Sequence, residues 1–376
     1  MFTQFKDWYK NRHDYAKQWK AKTGGKVMAY LCTYAPEEIM YAADILPIRV
    51  YGSHEASDLT ETHIFGMYCP FCRDCVAQVM EGKYDYVDGV MISQACLHMR
   101  QIYSTWEIHK PAEFMYYLPM PIQLASKHSR PYLAAELGLF KKAVEKWVGK
   151  EITNEDLDRG IEIMNANRDL HQQVYRFRNE DNPPLTGVET MYMTSSSQMV
   201  DKREHSKELE KLLRALPSRN LNRKTGIRLM IVGSESDDIE FMEMVESLNT
   251  TFVADDHCTA SRYFWGNVEP LEDRLLAIAN RYIDRPPCPT KDTTKDWVRF
   301  AHVLQMAKKA KVEGVVIIQQ KFCDPHEIDN PLLRKMLEDN GIRTYFLELD
   351  VTVPIGQFKI RIEAFLEMLR ADELPF

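Results

Sequence analysis

Nothing in the 376 residues approaches a membrane-spanning run, which needs roughly 18 or more consecutive apolar residues. Positive charge is not in excess either. The 48 Lys and Arg against 55 Asp and Glu leave a net charge of −7, with no basic run of note, which argues against nucleic acid or another polyanion as partner. The opening residues Met1 to Lys10 alternate charge with aromatics and lack the continuous apolar core of an export signal. Neither G-x-G-x-x-G nor a Walker lysine is present. Gly233-Ser234-Glu235-Ser236 resembles a phosphate-approach turn but carries neither signature, so no nucleotide site is assigned to it. These absences predict a cytoplasmic protein that meets neither membrane nor nucleic acid.

What is present is cysteine in an uneven distribution. Of eight cysteines, three fall within Tyr68-Cys69-Pro70-Phe71-Cys72-Arg73-Asp74-Cys75-Val76, and the others are scattered. Without an export signal they read as reduced thiols, not as a disulfide framework. A C-x2-C-x2-C run opens the bacterial ferredoxin pattern, in which soft sulfur ligands hold iron, although the fourth cysteine and its proline are missing. Zinc is the rival metal, but it would favour a second C-x2-C pair or matched histidines, and the sequence offers none.

At 376 residues, 45% of them hydrophobic, the chain is too long for one small core and fits two or three domains. An internal repeat shows how they are arranged. Val87-Asp88-Gly89-Val90-Met91-Ile92-Ser93-Gln94 and Val312-Glu313-Gly314-Val315-Val316-Ile317-Ile318-Gln319 share V-[DE]-G-V-x-I-x-Q, an apolar run expected of a strand buried on both faces. Upstream of each copy come a strand (25–31 and 226–232), a helix (36–43 and 237–248) and a second strand (46–50 and 251–254), and downstream a further strand (113–118 and 343–349). Alternation of this kind predicts an α/β protein with two small parallel-sheet domains of similar topology. Helices expected at 137–147, 154–178 and 201–216 fill the segment between them, the second opened by Thr153 with Asp156 three residues on, a capping-box pattern. The expected divisions are 1–135, 136–224 and 225–376.

In open parallel sheets ligands collect beyond the carboxyl ends of strands, where Cys96 and Cys323 fall. Cys69 precedes Pro70, and proline favours the first helical position, so Cys69 is expected at a helix N-terminus where free amides favour a thiolate. Three ligands from three segments would then converge. Cys32, Cys258 and Cys288, taken singly, read as small buried hydrophobes. Asp255-Asp256-His257-Cys258 reads as a solvated loop before a proton donor or ligand, and Asp324 equally as a turn before Pro325 or as support for a ligand. His98 and Arg100 suit either a substrate contact or an exposed helix face.

Taken together these residues resemble the 2-hydroxyacyl-CoA dehydratase and benzoyl-CoA reductase family. The likeness is carried by Ala35-Pro36-Glu37-Glu38-Ile39, Leu46-Pro47, the cysteine ahead of a helix, the cysteine after the mid-chain strand, and Lys321-Phe322-Cys323-Asp324-Pro325. Phe65 to Asp74 and Ser93 to His98 are most similar to the smaller, gamma-type, cluster-carrying subunit of ATP-dependent benzoyl-CoA reductases. The resemblance implies a 4Fe–4S cluster held by Cys69, Cys96 and Cys323, with Cys72 and Cys75 outside the general family pattern.

It also implies partners: a larger homologous cluster-carrying subunit, an ATP-hydrolysing iron–sulfur activator, ferredoxin as electron source, and an aromatic acyl-CoA as substrate. The reaction implied is oxygen-sensitive reductive dearomatisation of benzoyl-CoA to a cyclic dienoyl-CoA through radical intermediates. Two alternatives remain open in the sequence: the beta subunit of a 2-hydroxyacyl-CoA dehydratase, and a non-catalytic iron–sulfur carrier or scaffold, for which C-x2-C-x2-C would suffice.

Overall fold

A computed structural model of the chain describes residues 1–55, 57–291 and 297–371. It opens with helices α1 (Thr3–Lys10) and α2 (Arg12–Thr23), then alternates β1 (Val27–Tyr30), α3 (Glu37–Ala42), β2 (Leu46–Arg49), α4 (Pro70–Met80), β3 (Gly89–Ser93), α5 (Leu97–His109) and β4 (Phe114–Leu118). A run of helices follows: α6 (Ser129–Val148), α7 (Asn154–Phe177), α8 (Gly187–Ser197) and α9 (Lys202–Ala215). The alternation then resumes with β5 (Ile227–Gly233), α10 (Ile239–Glu246), β6 (Thr250–Asp256), α11 (Arg274–Asp284), α12 (Val298–Lys309), β7 (Gly314–Gln320), α13 (Asp324–Asp339), β8 (Arg343–Leu349) and α14 (Ile355–Ala371).

The strands form two four-stranded sheets with the same order, β2-β1-β3-β4 and β6-β5-β7-β8, and every pairing is parallel. The repeated V-[DE]-G-V segments occupy matching places: Gly89 opens β3 opposite Phe114, and Gly314 opens β7 opposite Arg343. Both strands are buried along their whole length, because helices cover both faces of a sheet built from βαβ units. The expected α/β architecture with two similar parallel sheets is what the chain adopts.

In the helical stretch, α7 begins with the capping box the sequence announces. Thr153 Oγ1 accepts from Asp156 N at 3.2 Å, and Asp156 Oδ2 accepts from Thr153 N at 3.0 Å. The next helix back, α6, starts eight residues before the expected 137, at Ser129. Pro131 lies in its first turn, where a missing N–H leaves no internal bond unmade. Helices α8, α11 and α12 lie where the sequence reading placed none. Helix α7 packs on α3 so closely that a Cβ on Gly160 would collide with the Glu38 carbonyl oxygen.

After β6 the chain crosses back. Ala277, Ile278 and Tyr282 of α11 are buried in the same apolar core as Met28 and Tyr30 of β1 and Phe140 of α6. The Tyr282 hydroxyl donates to Glu38 Oε2 at 3.2 Å, and Arg168 of α7 donates to the other Glu38 oxygen at 2.5 Å. No helix among the described residues is long and apolar enough to cross a membrane.

Candidate functional site

Three of the connections that leave a strand or loop for a helix begin with cysteine. Cys69 is the N-cap of α4, with Pro70 at the first helical position as the sequence predicts. Cys96, just past β3, caps α5, and its Sγ accepts from Met99 N at 3.4 Å. Cys323, just past β7, caps α13, its Sγ 3.3 Å from His326 Nδ1. Its predecessor Phe322 is held at φ +60°, a left-handed conformation that a non-glycine residue adopts only where its surroundings impose it.

All three thiols line one cavity of about 60 Å³, room for several waters. Cys32, Cys72, Cys258 and Cys288 line it too, so seven of the eight cysteines face one space. The eighth, Cys75, is buried in the core between α4 and the first sheet. Most of these residues come from carboxyl ends of strands: Cys32 after β1, Cys96 after β3, Cys258 after β6 and Cys323 after β7. The two sheets therefore present the same edge to the cavity from opposite sides, the placement in which open parallel sheets gather ligands.

Two pairs of cysteines interact through their side chains. The Cys72 thiol donates to Cys69, which lowers the Cys69 thiol to about 6 against the opposing effect of burial, with a side-chain bond to His98 helping. The Cys69 backbone N–H in turn donates to His98 Nδ1 at 3.0 Å. The Cys258 thiol donates to Cys288 and holds that sulfur well below its ordinary value. Arg262, wholly buried, donates from Nη1 to Cys258 Sγ at 3.1 Å. By contrast, burial pushes the Cys96 thiol up to about 12 and raises Cys323.

Polar groups complete the wall. Glu235 pairs with buried Arg49, and burial nevertheless raises its carboxyl to about 7, so it changes charge near neutrality. Its Oε2 has no protein partner. The turn after β5 is tied down: Gly233 has φ +148°, and Ser234 Oγ accepts from Gln320 N at 2.8 Å. Arg49 Nη1 also donates to the Cys258 carbonyl at 2.6 Å.

One sequence expectation needs correcting. The stretch Asp255-Asp256-His257-Cys258 is not a solvated loop: both aspartates end β6 and are buried, Asp255 paired with Arg178 and Asp256 with Arg262 at 3.0 Å. Two buried guanidinium partners explain why such charges are tolerated inside. Cys288 packs in the apolar core shared by β1, α6 and α11 with Cys32 and Cys258 against it, as the sequence reading has it, and all three also border the cavity. Asp324 and His98 line it as well, whereas Arg100 is exposed.

The donor set fits iron bound through sulfur, because thiolate is the ligand that iron–sulfur clusters take. Among the described residues no three His, Cys, Asp or Glu side chains approach closely enough to hold a single ion. A polynuclear cluster, with sulfides and irons of its own between the thiolates, suits so wide a ring of donors.

The chain resembles known proteins along most of its length. The family model described as 2-hydroxyglutaryl-CoA dehydratase, D-component, matches residues 32–369. The (R)-phenyllactyl-CoA dehydratase beta subunit of Clostridium sporogenes is 25% identical over 98% of this chain and 98% of its own length. A benzoyl-CoA reductase subunit of Thauera aromatica is 24% identical over 87% of this chain and 86% of its own. The lactoyl-CoA dehydratase subunit beta of Anaerotignum propionicum is 23% identical over 98% of both. With the match spanning strands β2 to β8 and every cavity-lining cysteine, this chain belongs to the 2-hydroxyglutaryl-CoA dehydratase D-component family.

Proposed function

We propose that this chain is the iron–sulfur subunit of an ATP-driven benzoyl-CoA reductase, carrying a 4Fe–4S cluster on Cys69, Cys96 and Cys323. The observation that carries the reading is the convergence of those three thiols, each at a helix N-cap, on one cavity. Phe65 to Asp74 and Ser93 to His98, the segments that resemble the reductase subunit, supply two of them. A bound cluster would contribute one-electron chemistry at low potential, which the protein frames but does not itself perform.

The chain's own groups have distinct parts. The first turns of α4, α5 and α13 direct free amides at the thiols, a favourable setting for the negative charge of an iron–thiolate centre. Cys69, already the most acidic of the three, is the first to offer a thiolate. Buried Phe71 and Met99 line the cavity and keep water from it. Glu235, neutral or charged at similar cost near pH 7, holds a proton at the cavity wall.

Relatives named as subunits support a partner subunit for this chain. In this reading the partner is a larger homologous subunit, and an ATP-hydrolysing iron–sulfur activator and ferredoxin supply electrons. A second reading, the beta subunit of a 2-hydroxyacyl-CoA dehydratase, is favoured by relatives of that name that match along 98% of the chain. Purified anaerobically with its partners, the complex is expected to consume benzoyl-CoA in the presence of ATP and reductant. Cys69→Ser, Cys96→Ser and Cys323→Ser should each lower that rate at least about 10²-fold, while Cys75→Ser leaves it near wild type. A complex that acts only on 2-hydroxyacyl-CoA would move the assignment to the dehydratase.

A further inference from the structure

We propose that a cavity at the β6 edge of the second sheet, between α7, β6 and α12, is a binding site for a small aromatic monocarboxylate. It shares no lining residue with the cysteine cavity, and the inference does not depend on the iron–sulfur reading.

The cavity starts from an irregularity in a strand. β6 is an edge of its sheet, and its pairing with β5 slips after Leu229, so that Phe252 and Ala254 have partners on β5 and Val253 between them has none. Consecutive side chains of a regular strand leave on opposite faces. The extra residue lets Val253 and Ala254 both join the apolar cluster of Phe300 and Val303 of α12, and both border the opening. Tyr175 of α7, Trp265 beyond β6 and Met306 of α12 complete the apolar wall, the two rings set edge to face with centroids 6.4 Å apart. The volume is about 230 Å³. An apolar cavity of about 150 Å³ takes up benzene, so there is room here for one ring and a small substituent.

Charge at the rim selects the substituent. Arg176 and Lys309 border the cavity from α7 and α12, both exposed, and among the described residues neither side chain has an ion-pair or hydrogen-bond partner. Among the described residues that line it, only Asp255 is acidic, and its charge is already committed. Buried Arg178 and the Tyr175 hydroxyl, at 3.0 Å, donate to one of its oxygens, and Ser261 N, at 2.9 Å, donates to the other. Two uncompensated positive charges over an aromatic wall attract an anion with a flat apolar body. A carboxylate suits them, because its two oxygens match the fork of a guanidinium. Trp265 adds a donor: its Nε1 is buried without a protein acceptor, and a buried N–H calls for one.

Isothermal titration of the full chain, isolated anaerobically, with benzoate, benzamide and acetate separates the two requirements. Benzoate should bind at least about tenfold more tightly than benzamide, which keeps the ring and loses the charge, and than acetate, which keeps the charge and loses the ring. Arg176→Gln combined with Lys309→Gln should weaken benzoate at least about tenfold and leave benzamide unchanged. Both side chains lie on the surface, so the fold is not at stake. Trp265→Phe, which keeps a ring and removes the N–H, should weaken benzoate as well, with near-ultraviolet circular dichroism as the check on folding. Benzoate bound equally by the wild type and the double variant would place the ligand elsewhere and overturn the site. So would the absence of benzoate binding, or equal affinity for benzoate and benzamide.

Discussion

His54 ties the two halves of the molecule through a single proton. Its Nε2 lies 2.9 Å from Asp237 Oδ1, joining the loop after β2 to the turn after β5. Burial alone would depress its pKa, yet the Asp237 carboxylate outweighs burial and raises it from 6.5 to about 9. A histidine bound more tightly to its proton in the folded state stabilises fully below the unfolded value of 6.5, and that contribution fades as pH rises through 9. The stability gap between wild type and His54→Gln, from urea unfolding, should therefore shrink by about 1 to 2 kcal/mol between pH 6.5 and pH 9. A gap that stays constant across that range would show that the pair carries no net charge interaction. The cysteines differ in how far sequence alone could reach them. Cys69, Cys96 and Cys323 stand at a helix-opening proline or at the ends of readable strands. Cys32 and Cys258 also follow strand ends, so the same rule, applied without discounting lone cysteines, would have found them. Cys288 follows a helix, and only the return of α11 to the first half brings it to the cavity.

Among the elements, β5 shows how a strand end is shaped for the site. Gly233 has φ +148°, and a Cβ there would collide with the Ile318 carbonyl oxygen of neighbouring β7. Gly341 also has a positive φ, +76°, but open space where a Cβ would go. Gly341→Ala should thus cost only about 1 kcal/mol of conformational strain, whereas Gly233→Ala, which must also push two strands apart, should cost about 2 to 4 kcal/mol. Urea midpoints at unchanged slope would measure both, and equal shifts would mean that the backbone angle alone matters at Gly233. The strands and their succession along the chain were legible because a doubly buried parallel strand leaves a nearly continuous apolar run, and the run occurs twice. Helix α8 left no such trace. Thr190, Thr194, Ser195, Ser196 and Ser197 are all buried in it beside Met191 and Met193. A helix buried on all its faces, polar residues included, has no single apolar stripe for periodicity to detect. Its capping box, Thr186 with Glu189, was the signal available, since Glu189 N donates to Thr186 Oγ1 at 3.1 Å.

Taken whole, the molecule joins two sheets of identical order whose apolar cores do not divide cleanly between the halves of the chain. Ala277, Ile278 and Tyr282 sit in the core built on β1 and α6, and Arg285 reaches back to the Thr33 hydroxyl at 3.0 Å. A fragment of residues 1–224 lacks those side chains. Made alone it should show helical circular dichroism with weak amide protection, and co-expression with 225–376 should restore native protection. Full protection in the isolated fragment would establish it as an autonomous domain. The repeated topology was visible in sequence because it follows from local pattern. The interlock was not, since it depends on contacts between residues about 250 positions apart, such as Tyr282 with Glu38. That interlock has a consequence for how the chain can change over generations. Two halves that each kept their own core would be free to diverge, be shuffled or be lost separately. Here a substitution on α11 is tested against β1 and α6, so the halves are inherited as one unit of selection even though their strand order is the same.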